Sequence, residues 1–238
     1  MRQHDVVTVE SSPRARPRHR ALRSGALAVL RAAPYPTALA VASALLDARS
    51  EAGRAAWLRY ASTDLTNLAA HPVPSLALSV LFSEEQPVAW VVLALAGLAA
   101  LGTRLGAVRA LALAVTVHVV ATLVSQGLTA WRVHAGDLPA SARVMLDVGP
   151  SYVVVTALVA AACYGVGWAR LVGAAGFAVL VPSLFGGLAE LEVTAVGHAT
   201  SCLLGVLSGV LLPGVLPGWP PARWRAGSAR SGRAAQEP

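Results

Sequence analysis

Residues 147–164 read Asp-Val-Gly-Pro-Ser-Tyr-Val-Val-Val-Thr-Ala-Leu-Val-Ala-Ala-Ala-Cys-Tyr. One charge is followed by the chain breakers Gly149 and Pro150, and then no further charge appears before Arg170. Proline is pre-organised for the head of a helix, and an uncharged apolar run of this length is the mark of a membrane helix. Further along, Val196-Gly197-His198 lies near the start of a second such run. A hydroxyl at Ser151 and an imidazole at His198, near the heads of two membrane helices, form either a catalytic pair or a buried hydrogen bond.

The composition supports the membrane reading. Of 238 residues 55% are hydrophobic and 13% charged, with mean hydropathy +0.60, whereas a soluble domain carries about 25% charged residues. Aromatics are few, so the helices must pack through small residues. Net charge is +7 and every basic residue is Arg. The Arg residues cluster toward the termini, which is the pattern of membrane topology rather than of nucleic-acid binding. Cys163 and Cys202 both fall inside apolar runs, so no disulfide framework or CxxC metal motif is expected. No Walker motif, dinucleotide fingerprint or HExxH spacing appears, so no cofactor and no metal is expected.

Six spans follow, at about 26–46, 87–101, 110–128, 151–168, 171–188 and 193–212. Pro34 and Pro36 are expected to kink the first. It is read as a retained helix rather than a cleaved signal, despite the Ala-Val-Ala-Ser-Ala that follows within it. Residues 1–23 read as a disordered basic arm, 214–238 as a disordered basic tail, and 24–213 as the membrane domain. The long loop 47–86 is too short in its apolar part, 74–82, to span, so an interfacial or re-entrant helix is expected there, with Trp57 and Tyr60 as interface anchors. Fourteen of the 19 Arg residues fall on the side of the two termini, so both termini are expected in the cytoplasm of a multi-pass plasma-membrane protein.

This topology sets the depth of the pair. Ser151 lies four residues beyond Asp147 and His198 six beyond Glu192. At ~1.5 Å per residue both sit ~6–9 Å below the outer edge. A serine is a weak nucleophile without an adjacent base, and hydrolysis in a membrane also needs water and donors for an oxyanion. His198, Ser201, Gly205 and Gly209 share one face of the last helix, and such small residues allow close approach of a neighbour.

These residues resemble the rhomboid family of intramembrane serine proteases, and in particular the rhomboid-like proteins common in actinobacteria. The resemblance covers about residues 26–212. It rests on six spans, a long first external loop, the turn Arg104-Leu105-Gly106, the Gly-x-Ser ending at Ser151, and a His followed by small residues. It implies a helical bundle in which Ser151 is the nucleophile and His198 the base, acting on transmembrane substrates in the lipid bilayer. Counting back from Arg104, Gln86 and Trp90 occupy the positions of the family's oxyanion His and Asn; Gln86 and Ser151 are the oxyanion candidates. The pattern departs at Tyr152, which stands where the family has a second Gly, at Trp90, and at Ser201, which replaces the first of two Gly residues. A catalytically inactive rhomboid-like protein that binds transmembrane helices is the alternative. A third reading comes from His118, Thr122 and Ser125, a polar stripe in the third span with Gln126 beside it, which is either interhelical hydrogen bonding or a proton or solute path.

Overall fold

The computed structural model describes residues 17–211, except for the side chains of 17–24 and 211. The arm expected over 1–23 lies outside these residues as far as 16, and the tail expected over 214–238 lies outside them altogether. Every regular element among the described residues is helical. Where one first helix was expected over 26–46, there are two, α1 (Pro17–Ala32) and α2 (Pro34–Asp47), bent 46° from each other. Pro34 opens α2. Without an N–H, and with its ring against the preceding turn, it breaks a continuous helix.

The long loop contains more structure than expected. It holds α3 (Glu51–Ala61), α4 (Leu65–Ala70) and α5 (Pro72–Ser79). The apolar helix expected over 74–82 corresponds to α5; α3 and α4 are additions. Each of these two has a side-chain cap. Ser50 Oγ accepts from the Gly53 N–H at 3.3 Å, and Asp64 Oδ1 accepts from the Thr66 and Asn67 N–H groups at 3.0 Å. Such caps satisfy donors that a helix start leaves orphaned.

Helices α6 (Pro87–Leu105), α7 (Ala107–Ala135) and α10 (Val193–Leu211) follow. All three are long and apolar enough to cross a membrane, and α1–α2 makes a fourth crossing if it is one broken span. Helices α8 (Ser151–Tyr164) and α9 (Trp168–Leu184) are apolar but shorter, at 14 and 17 residues. A count of six therefore depends on both short helices. Burial accounts for the brevity of α8. Residues 152–161 and Tyr164 are all buried, and α6, α7, α9 and α10 pack around it. A helix wrapped in protein does not have to match the bilayer thickness with its own length.

Helix α7 runs seven residues past its expected end at 128, so Trp131, Arg132 and His134 are helical rather than in a loop. Gly136, at φ 85°, ends it, and the Asp137 N–H returns to the Arg132 carbonyl at 2.9 Å, a glycine stop of the usual kind. Arg132 then reaches the Glu190 and Leu191 carbonyls at 2.8 and 3.2 Å, which ties the end of α7 to the segment before α10.

Lipid tails are as apolar as leucine, so close packing rather than the hydrophobic effect holds such helices together. Three of the four neighbours of α8, namely α6, α9 and α10, meet it through glycine. Gly97 on α6 lies over Ala157 and Leu158, Gly173 on α9 over the α8 backbone, and Gly205 on α10 over Val159.

Candidate active site

Ser151 is the first residue of α8, set there by Pro150, which precedes it with φ −76°. The turn that delivers it is itself fastened, because the Gly149 N–H donates to the Ser79 carbonyl of α5 at 2.9 Å. The long segment 47–86 is thus joined directly to the head of α8.

His198 lies on α10 and is buried. Its Nδ1 is 2.9 Å from the Leu184 carbonyl. A carbonyl only accepts, so Nδ1 carries the proton and Nε2 keeps its lone pair. Leu184 is the last residue of α9, and the final carbonyls of a helix have no intrahelical donor. That helix end also places partial negative charge beside the ring, which favours an imidazolium if one forms. Nε2 is buried and has no hydrogen-bond partner.

Ser151 and His198 line one open cleft of about 340 Å³, with Gln86, Trp90, Ser183 and Thr194 among its walls. No hydrogen bond joins Ser151 to His198 in this structure. A larger cavity, about 490 Å³, lies among α1, the α6–α7 turn and the α8–α9 turn, around Arg31 and Trp168. Among the described residues its one hydroxyl, Thr103, donates to the Ala100 carbonyl at 2.7 Å, and no histidine, cysteine or carboxylate lines it.

Gln86 precedes α6 in a left-handed conformation, φ 51° and ψ 47°, and its side chain does not cap the helix. Such a backbone is uncommon for a residue with a side chain. The amide is left available on the cleft wall, and Trp90 stands one turn along on the same wall.

Tyr152 fills the space around His198. The two rings meet edge to face at 5.4 Å, and His118 lies on the tyrosine's other side at 5.9 Å. Gly197 makes room for this ring, since a methyl there would overlap it. Along the same helix Gly205 lies against Val159 and Gly209 against Tyr164, whose hydroxyl bonds to the Val206 carbonyl. Ser201 is fully buried, with Oγ unpartnered.

The polar stripe on α7 faces inward. His118 Nε2 is 3.5 Å from Ser79 Oγ, Ser125 donates to the Thr122 carbonyl at 3.2 Å, and Gln126 donates to Asp147 at 3.0 Å. Thr122 Oγ1 and His118 Nδ1 have no partner.

Two features were not legible in the sequence. The Leu184 carbonyl, as a backbone atom, leaves no residue signal. Asp147 reads in the sequence as the last exposed charge, yet it is 9% exposed; the polar run Ser62-Thr63-Asp64 that receives it was the available sign. Burial raises its carboxyl above the usual 3.8, with hydrogen bonds from Gln126 and Thr63 opposing the rise and Asp64 adding to it.

A family model described as rhomboid-like protein matches residues 30–215. No curated protein and no solved structure matches the chain.

Proposed function

The chain belongs to the rhomboid-like protein family and is a multi-pass membrane protein; from that premise we propose that it is an intramembrane serine protease. Ser151 Oγ attacks a peptide carbonyl carbon of a transmembrane substrate, and His198 Nε2 takes the hydroxyl proton. The C–N bond then breaks as His198 returns that proton to the leaving amine. Water entering from the cleft hydrolyses the acyl-serine, with His198 again as base, and releases a carboxylate. Gln86 Nε2 and the Ser151 N–H are the donors assigned to the oxyanion.

The observation that carries this reading is the state of His198. Its Nδ1–H is tied to the Leu184 carbonyl, and its unpartnered Nε2 belongs to a residue on the same cleft as Ser151. A base needs a third group to orient it, and here a helix-end carbonyl fills the place usually held by a carboxylate. The charge pattern supports a plasma-membrane protein with both termini in the cytoplasm.

Labelling with a fluorophosphonate tests the proposal. The intact protein should label, and Ser151→Ala and His198→Ala should not. An intact, folded preparation that takes up no label would sink it. Trp90 favours the second reading, a family member that binds transmembrane helices without cutting them, because a bulky indole with one N–H is a poor replacement for the amide of Asn at an oxyanion. In that case His198 and Ser151 are a buried ring and a helix-start hydroxyl, and cross-linking to client helices persists in Ser151→Ala.

A further inference from the structure

The head of α8 is held by a buried carboxyl that the proposed chemistry does not use. Asp147 Oδ2 accepts from Thr63 Oγ1 and from Gln126 Nε2, both at 3.0 Å. The Asp147 carbonyl accepts from the Thr63 N–H at 2.9 Å, and the Thr63 hydroxyl lies 3.0 Å from that carbonyl as well. The Asp147 N–H donates to Ser62 Oγ at 3.1 Å. Ser62, Thr63 and Gln126 are all buried. Three parts of the chain therefore converge on one residue: the α3–α4 junction, α7, and the four-residue step to Ser151.

No ion pair with Asp147 occurs among the described residues. The neighbouring carboxylate of Asp64 is engaged in capping α4 and in accepting from Asn67 Nδ2 at 3.1 Å. A buried carboxyl without a countercharge is costly, and nothing in the helix start requires one at this position. What the site does require is an acceptor. Two buried side-chain donors, on separate elements, point at the same oxygen; without it Gln126 Nε2 would be left unsatisfied, and Thr63 Oγ1 would fall back on the Asp147 carbonyl alone.

We infer that Asp147 is the positioning residue of the nucleophile, an acceptor that locks the external helices and α7 to the Val148–Pro150 step and so fixes where Ser151 presents its hydroxyl. It acts through the turn and touches no substrate. This role rests on the protease reading for its consequence, but not for its geometry. It also assigns a task to the long external segment, which becomes one wall of the mounting for Ser151. Since the role is acceptance rather than charge, Asn serves in place of Asp: its Oδ1 takes both donated bonds.

The test uses the full-length protein in detergent micelles, with fluorophosphonate as the probe of Ser151 and amide exchange as the probe of the turn. Asp147→Ala should label about 100-fold more slowly, the scale of an ångström-sized misplacement, while Asp147→Asn stays within about threefold of the parent. Exchange at the Asp147 and Gly149 amides should quicken in Asp147→Ala and not in Asp147→Asn. Parental labelling and exchange in Asp147→Ala would overturn the inference, and so would an Asn variant as slow as the Ala variant. If the parent protein takes no label, the protease reading fails, and exchange alone then decides the anchor by the same two comparisons. Should Asp147→Ala not fold, Thr63→Val, which removes one donor and keeps the carboxyl, takes its place with the same expected losses.

Discussion

Gln86 holds a backbone conformation that costs a residue with a side chain about 1–3 kcal/mol. It sits on the wall of the cleft that Ser151 and His198 share. Gln86→Gly should therefore raise the melting stability by about 1 kcal/mol, read by thermal denaturation in detergent. If its amide holds the oxyanion, both Gln86→Gly and Gln86→Ala should lower peptide hydrolysis about 10²–10³-fold, the loss found when one such donor is removed. An unchanged rate in both variants would remove Gln86 from the mechanism. Asp147 makes a separate prediction. Its raised folded-state pKa means the folded protein holds that proton more tightly than the unfolded chain. The contribution to stability is complete below about pH 3.8 and is lost as pH rises through the raised value. Melting curves taken upward from about pH 4 should show the parent losing stability relative to Asp147→Asn, which has no proton to release. The position of Gln86 was legible by counting back from Arg104-Leu105-Gly106. Its left-handed backbone was not, because it arises where the segment 47–86 has to turn into α6.

At the scale of elements, α6, α9 and α10 reach α8 through residues without side chains, and they differ in what they meet. A methyl on Gly205 would meet Val159 side-chain atoms at 3.2–3.3 Å, whereas one on Gly173 would meet the Ala162 nitrogen and the Leu158 carbonyl oxygen at 2.5 and 2.7 Å. A side chain yields by tenths of an ångström, and a helix backbone does not. Gly173→Ala should cost about 1–3 kcal/mol as an overpacked interface and Gly205→Ala distinctly less, measured by thermal melting of the two proteins side by side. Equal losses would contradict this account of the α8–α9 contact. The stripe His198, Ser201, Gly205, Gly209 is readable from spacing. Gly173 and Gly176 lie in an Ala-rich run with no polar residue beside them, so the sequence carries no local sign that they face α8. Tyr152 and Gly197 show why single positions mislead. The family pattern makes Tyr152 an intrusion, but the ring occupies the space that Gly197 leaves in the facing helix.

For the whole molecule, the number of crossings turns on α8 and α9, which fall short of the ~20 residues of a lipid-exposed span. If both cross, the chain alternates sides six times. Alkaline phosphatase fused at Asp137 or Glu190 should then be active outside, and a fluorescent protein fused after Arg170 or at the C-terminus should fold inside. A fusion after Arg170 that is active outside would show that α8 does not cross. The packing argues for crossing, since α8 is enclosed by four helices, and its neighbours α6, α7 and α10 are long enough to span.

The sequence by itself determined the class. Long uncharged runs, Arg at the ends and few aromatics leave a helical membrane bundle as the stable solution, because backbone polar groups in lipid have to be satisfied within a helix. It also singled out Ser151 and His198, since a breaker pair and a lone imidazole at the heads of apolar runs are local signals. The tertiary structure alone decided the tautomer of His198, the strain at Gln86 and the burial of Asp147. The first and the last depend on atoms from other parts of the chain, the end of α9 and Thr63 with Gln126, whereas the strain at Gln86 arises where the chain turns into α6. Hydrogen bonds between such partners follow no period along the sequence, so only the folded chain brings them together.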